Sequence, residues 1–504
     1  MAVTKVDHPS VADRRARGAD ARTAVPPSSH LGWEPAADRP DPVAILEEQN
    51  INREPDLVPV RHGRMMVSPF TFYRGAARIM ATDLARTPTA GLDAQLCGDA
   101  HLSNFGGFAS PERRLMFDLN DFDETLPGPF EYDVKRMAAS FTIAARNNGL
   151  TPAEAKDATL ASVRSYRAAM AQFAQMGTME LWYTHMSEDD LRVGLDKIAS
   201  EGAGKKAAKG AAKGKESKSK DGKAKAPKGN VLEEEQTAKA ARRAEKNLAK
   251  AHTRDSLQAL SKLGELVDGH YRIVSQPPVV VPVRELASTY HMSADEVRNT
   301  IHTQFQEYRS TLPDDRRHLL ERFEIIDVAR KVVGVGSVGT RAFIALLQGR
   351  DAQDPLFLQV KEATRSVLED ALPKSRYRNP GERVVQGQRM MQAAGDIYLG
   401  WTKGVQADRY YYWRQLRDMK TSAIVEGMSG MVLAYYATLC GWTLARAHAR
   451  SGDAVAMAEY LGTDDTFDTS ITDFSERYAD QNERDYSAFA EAIRSGRVAS
   501  VEGV

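Results

Sequence analysis

Apolar side chains recur at helical spacing over most of this chain, and the places where that rhythm breaks hold the segments richest in chemistry. Phe70 to Ala85 (FTFYRGAARIMATDLA) carries the period and predicts a helix. Leu92 to Cys97 mixes apolar and polar positions and predicts a strand running into a loop at Gly98. Tyr132 to Asn147 and Thr151 to Gln175 are periodic again, and Thr151, Pro152 and Glu154 together mark a helix start. The Ala, Glu, Lys and Arg content of Val231 to Leu266 favours helix. Val279 to Val283 is a short apolar run, and Ser293 with Glu296 caps a helix that reaches Tyr308.

Between Ile325 and Trp413 the rhythm changes, with valine and glycine in place of alanine. Apolar runs at 332–335, 342–347, 356–360, 397–401 and 409–413 predict a small sheet, interrupted by a helix at 383–394. Helix returns at Ser429 to Ala449. The expected fold class is therefore α+β. Residues 45–200, 256–324 and 420–504 are assigned to a helix-rich larger lobe, and 325–419 to a smaller β-rich lobe.

Composition adds two segments and removes several function classes. Residues 1–44 mix Arg, Asp and Pro with few large apolar side chains and read as a disordered tail. Residues 201–255 read as a Lys/Ala-rich linker or insertion, whose first part (201–230) holds ten lysines and no aromatic residue. In 504 residues, 68 basic side chains balance 68 acidic ones, so overall charge gives no case for a nucleic-acid partner; the 201–230 tract alone could provide one. Two cysteines, Cys97 and Cys440, are too few for a disulfide framework or a cysteine zinc site. Without a secretory signal or a long apolar run, a cytoplasmic protein with no membrane partner is expected.

Three segments carry candidate chemistry. In GDAHLSNFG (98–106), Asp99 and Asn104 have the spacing of a kinase catalytic loop, where the Asp accepts a hydroxyl proton and the Asn binds magnesium. Next, LMFDLNDFDETLPGPFEYDVK (115–135) reads as a strand ending in acids. Among them Asp121, with Asp118 and Asp123 as competitors, offers the hard oxygen ligands that magnesium prefers. Third, Gly334, Gly336, Ser337 and Gly339 form a glycine-rich turn, followed by two short apolar strands that end at Lys361. A dinucleotide fingerprint would instead need a helix starting at the third glycine. A hairpin over phosphates and a strand delivering a lysine is the kinase arrangement. Glu369 and Glu382 are the candidates to orient Lys361, with Gln386 one turn on, and Gln415 to Met419 would form the hinge against a base. Tyr410 to Trp413 read as sheet and core, His448 as a packing residue, and Arg74 and Arg136 as phosphate contacts or partners of the acids.

The fuller pattern G-D-x-H-x-x-N, which includes His101, resembles the aminoglycoside phosphotransferase and choline kinase branch of the protein-kinase-like fold. Cys97 stands where that branch commonly has His. The resemblance implies that Asp121 belongs to an Asp-Phe-Asp metal element, and that Asp133, in a Tyr-Asp pair a dozen residues later, braces the loop from a helix N-terminus. It also implies ATP and Mg2+ as cofactors. Because the Asp and Asn loop precedes the glycine and lysine segment, the implied fold is bilobal and circularly permuted. Over roughly 45–490 the chain also resembles a bacterial domain-of-unknown-function family with the hallmarks VSPFTFYRGAA, LCGDAHLSNFG and FDLNDFDETLPGP. The function expected is phosphoryl transfer from ATP to a hydroxyl of an unidentified, small-molecule acceptor. Nucleotidyl (AMP) transfer and a non-catalytic nucleotide-binding or scaffold role stand as alternatives.

Overall fold

The computed structural model describes residues 7–196, 242, 245–267, 269–286, 293–332, 334–405, 408–416 and 419–503. The lysine tract at 201–230 lies outside them, as does most of the helix expected to begin at Val231; within that helix, 245–252 and Ser256–Leu263 are helical. The architecture is mixed α+β.

The helical body is built around Glu131–Asn147, buried continuously from Glu131 to Ala145. Pro152–Phe173, Gly430–Ser451 and Thr466–Arg494 pack around it, and Ala454–Leu461 packs on Pro152–Phe173. Pro152–Phe173 starts at the expected place, with Thr151 and Glu154 closing a reciprocal capping box. It crosses Gly430–Ser451 closely: a Cβ on Gly441 would lie 2.1 Å from the Ser162 carbonyl oxygen, so only glycine fits there.

Four short strands sit against this body. β1 (Asp93–Leu96) pairs with β4 (Leu126–Pro129), and β2 (Phe105–Ala109) with β3 (Leu115–Leu119), all antiparallel. Because the β2–β3 hairpin is nested inside the β1–β4 pair, the loops 97–104 and 120–125 emerge side by side. The Asn120 amide donates to the Asn104 carbonyl at 2.8 Å. β5 (Met186–Ser187) extends β3, and β6 (Gly264–Val267) pairs with β7 (His270–Ile273).

The larger sheet contains β8 (Val280–Pro282), β9 (Glu324–Lys331), β10 (Ala342–Gln348), β11 (Pro355–Glu362), β12 (Gly400–Lys403) and β13 (Tyr410–Gln415), in the antiparallel order β12-β13-β11-β10-β9-β8. On one face Ile344, Leu346 and Phe357 pack with Leu260 and Ile273; on the other Ala345, Leu347, Leu358 and Val360 pack with Tyr308 and Trp413. Burial on both faces is why these strands read as unbroken apolar runs. Trp413 stacks on Tyr308 with ring centroids 4.6 Å apart, which fixes the helix Ala294–Ser310 to the sheet. The glycine segment is the turn between β9 and β10.

Several expectations need correction. Residues 7–44 are ordered, and only 1–6 of the expected tail lie outside the described residues. Val11–Ala24 is a helix with a Ser10–Asp13 capping box, and Arg39 is clamped between Asp83 (2.6 Å) and Asp485 (2.7 Å). A Gly18 Cβ would lie 2.3 Å from the Ala456 carbonyl oxygen. The segment lays a polar, small-residue surface on a core made by others, so its own lack of apolar residues does not prevent folding. Residues 256–324 do not belong to the helical body: β8 is a strand of the large sheet, and Phe305 and Tyr308 pack on its face. The first sheet strand of the run is 324–331, not 332–335, because Asp327 and Arg330 interrupt its apolar pattern. Phe70 to Ala85 forms two helices, Pro69–Gly75 and Ala77–Leu84, broken at Ala76. Among the described residues, no helix is long and apolar enough to cross a membrane.

Candidate functional site

Each of the two adjacent loops is held from behind. Asp133, in the first turn of Glu131–Asn147, accepts from the Cys97 amide at 2.7 Å and the Gly98 amide at 3.0 Å. His448 meets the same carboxylate at 3.3 Å and Tyr166 at 2.8 Å, and the Tyr436 hydroxyl donates to the Leu102 carbonyl at 2.7 Å. Gly98 has φ +84°, and a Cβ there would lie 2.3 Å from the Glu124 carbonyl oxygen. The chain thus needs glycine both for its backbone conformation and for the contact between the loops.

Beyond Gly98 stands Asp99. Its carboxylate accepts from Arg136 Nε at 2.8 Å, and Asn104 Nδ2 donates to its carbonyl at 2.8 Å. Burial pushes the Asp99 carboxyl up to about 6, against the pull of Arg136 and with help from Asp121 and Asp133. His101 lies 3.8 Å from Asp99 and is almost fully buried. Burial, with Arg74 and Arg136 nearby, drives its pKa far down, so the imidazole is neutral.

In and just before the second loop, Asp118, Asp121 and Asp123 have separate fates. Asp118 is buried in β3, paired with Arg446 at 2.5 Å and accepting from the Ala393 amide at 2.9 Å. It fastens Gly430–Ser451 to the strand and is not available as a metal ligand, which corrects the expectation for it. Asp123 accepts from Lys361 Nζ at 2.5 Å and from the Tyr412 hydroxyl at 2.6 Å, with Ser337 Oγ at 3.4 Å. Burial would raise its carboxyl, but Lys361 holds it below the usual range. Among the described residues, Asp121 accepts only from the Asp123 amide, at 3.1 Å, which leaves most of its carboxylate open.

Lys361 is 3% exposed on β11, opposite Ala342 and Tyr412. Burial would lower its pKa, yet Asp121 and Asp123 hold its ammonium above its ordinary value. Its ion-pair partner is therefore Asp123, across 238 residues, and neither Glu369 nor Glu382. Glu369 caps its own short turn through the Ser366 amide. From the helix that bears Glu382 it is Arg383 that reaches the site, donating to the carbonyls of Asp123, Thr125 and Thr364. Gly334 (φ +67°) and Gly339 (φ +88°) turn the β9–β10 connection, and Gly336 approaches the Arg74 carbonyl.

Two cavities meet here. One of about 930 Å³ is lined by Asp99, Asp121, Asp123, Arg53, Arg74 and Ser337, among others. The other, of about 290 Å³, is lined by Gly334, Lys361, Arg414, Lys420, Asp121 and Ser337, with Gln415 and Leu416 of the expected hinge. Asp121 and Ser337 border both, so they stand at the junction. Of that hinge, residues 417 and 418 lie outside the described residues, while the Gln415 amide donates to the Asp396 carboxylate at 2.5 Å and the Leu416 amide to the Phe357 carbonyl of β11 at 2.9 Å.

Among the described residues, no group of three or more His, Cys, Asp and Glu converges as a metal cage. Magnesium commonly takes one or two carboxylates and completes its shell with water and phosphate oxygens. The open carboxylate of Asp121 and the side-chain Oδ1 of Asn104, whose Nδ2 is already used, fit that pattern. Sequence reasoning named Arg136 as a partner of the acid cluster, but its acid is Asp99; it missed Tyr412, which is core and also bonds Asp123, and the cavity-lining Arg53, Arg414 and Lys420. The three adjacent aromatics around Tyr412 hid it, and for Arg53 nothing in the string separates it from the surface arginines nearby.

The model of a family described as an uncharacterised protein conserved in bacteria (DUF2252) matches residues 53–229 and 212–492. No curated protein and no solved structure matches the chain.

Proposed function

The chain belongs to the DUF2252 family, and we propose that it is an ATP- and magnesium-dependent phosphotransferase on a circularly permuted kinase-like fold. The observation that carries this reading is the Lys361–Asp123 ion pair at 2.5 Å, which joins the strand after the glycine turn to the loop beside Asp99. Further support comes from the order of parts: glycine turn, lysine strand β11, helix Pro380–Met391, strands β12 and β13, then helices.

In this reading the nucleotide occupies the smaller cavity, where Lys361, Arg414 and Lys420 meet its phosphates. Lys361, oriented by Asp123 in place of a helix glutamate, keeps two further donors for phosphate oxygens. Asn104 and Asp121 would hold magnesium, which neutralises charge on the phosphates. The acceptor lies in the larger cavity with its hydroxyl at Asp99. The hydroxyl proton passes to the Asp99 carboxylate, the new O–P bond forms at the γ-phosphorus, and the bond to the β–γ bridging oxygen breaks, so ADP leaves with the electron pair. Arg136 fixes the Asp99 carboxylate in place, and Asp133 fixes the loop. Catalysis is then positioning and charge neutralisation.

Mass analysis of acceptors after incubation with Mg·ATP tests this. Phosphorylated products are expected, and adenylylated ones would favour nucleotidyl transfer. Asp99→Asn should abolish turnover and leave ATP affinity within about threefold. Turnover that survives in this variant removes Asp99 as the base.

A further inference from the structure

We infer that the acceptor is itself an oxyanion, a hydroxy compound bearing a phosphate or carboxylate group docked against Arg53 and Arg74. This inference rests on the phosphotransferase reading and names the substrate class of the larger cavity. Five arginines line that cavity, and three of them are matched by carboxylates: Arg78 by Glu48 and Asp370, Arg365 by Asp370, and Arg409 by Glu362. Arg53 and Arg74 have no such partner among the described residues.

Both unmatched groups are under-satisfied in other ways. Arg53 donates from Nη1 to the Val338 carbonyl at 2.5 Å, and its buried Nε has no partner. The buried Nε of Arg74 also has none, and its guanidinium lies 6.0 Å from the Phe70 ring centroid. Behind them Arg61, fully buried, is bonded only to neutral oxygens of Asn50, Gln49 and Gly75. Burial lowers the pKa of all three, and the charge of Arg53 lowers that of Arg61 further. Glu124 and Glu362 offset this in part for Arg53, and Glu426 and Asp99 for Arg74, but none of them closes an ion pair. Guanidinium groups without a paired carboxylate stay charged at considerable cost, and an anion placed against them offsets that cost.

The anion belongs to the acceptor rather than to ATP on two counts. The smaller cavity already has its own cations, Lys361, Arg414 and Lys420. Arg74 instead acts electrostatically on Asp99 and His101, the loop at which the acceptor hydroxyl is deprotonated.

The test is calorimetric titration of the full chain, with Mg·ADP present, using glycerol 3-phosphate, glycerate, inorganic phosphate and neutral glycerol as probes. Anionic probes should bind and glycerol should not. The stronger of glycerol 3-phosphate and glycerate identifies the oxyanion. Arg74→Ala and Arg53→Ala should each weaken the preferred probe roughly tenfold or more, with Arg74→Lys intermediate and melting temperatures confirming folded protein. In parallel, Lys361→Ala should lose Mg·ATP affinity and keep the probe, while the arginine variants do the reverse. Glycerol binding as well as the anions, no anionic probe binding at millimolar concentration, or arginine variants losing ATP in place of the probe would each overturn the inference. Loss of ATP binding in wild type would instead defeat the underlying phosphotransferase reading.

Discussion

Replacing Arg136 with Met isolates the electrostatics of the proposed base. Arg136 contacts the Asp99 carboxylate at 2.8 Å, donates to the Tyr73 carbonyl at 2.8 Å, and stacks 3.8 Å from the centroid of the Tyr73 ring. Met keeps the apolar stem against that ring and removes the charge. Asp99 already titrates up at about 6 because burial outweighs the arginine. A charge-assisted hydrogen bond contributes about 1.5–3 kcal/mol, which at about 1.4 kcal/mol per unit equals one to two units of pKa. The Asp99 carboxyl in the variant should therefore titrate near 7 to 8. A base works deprotonated, so wild-type activity is lost as pH falls through about 6, and activity of the variant through about 7 to 8. At neutral pH about nine-tenths of Asp99 is ionised in wild type and about a tenth to a half in the variant, a roughly two- to tenfold loss that disappears on raising the pH. Mg-dependent ATP turnover followed from about pH 5 to about pH 9 reads the two limbs. A limb that stays in place, or moves to lower pH, would refute the assignment of Asp99 as a buried base tuned by Arg136.

Two further predictions concern neighbouring groups. Burial and the nearby Arg414 and Lys361 depress the Lys420 ammonium to about 7, so Mg·ATP binding above that pH should take up a proton. Calorimetry in buffers of different ionisation enthalpy should show this uptake in wild type and not in Lys420→Ala; equal apparent enthalpies in wild type would count against phosphate at Lys420. Gly98→Ala forces a side chain into a position with φ +84° and 2.3 Å from the Glu124 carbonyl oxygen, so backbone strain alone should cost about 1–3 kcal/mol. Denaturant midpoints of variant and wild type should differ accordingly, and an unchanged midpoint would mean that the two loops are not in tight contact.

What could be read from the string was local chemistry. Thr151 with Pro152 and Glu154 starts a helix wherever it stands, and loops rich in Gly, Asp and Asn announce themselves between apolar runs. The allocation of roles among Asp118, Asp121 and Asp123 could not be read, because partners hundreds of residues away decide it: Arg446 takes the first, Lys361 and Tyr412 the third, and the second stays open. One clue was present, since an acid within the apolar strand LMFDL, flanked by Phe117 and Leu119, is expected to be buried and to need a cation. Residues 7–44 misled for a related reason. Arg22 and Arg39 look like a solvated tail until Asp464, Asp83 and Asp485 are placed around them. The helix glutamate expected for Lys361 failed because the acid loop, coming early in the chain, supplies Asp123 instead.

The central claim is that Lys361 and Asp121, 240 positions apart in sequence, form one nucleotide site, and isothermal titration with Mg·ATP tests it most directly. Wild type should bind, and Lys361→Ala and Asp121→Ala should each lose affinity by roughly tenfold or more, as expected for deleting a charged contact to phosphate or its metal, while remaining folded. Wild type that fails to bind, or variants that bind as wild type does, would contradict the account.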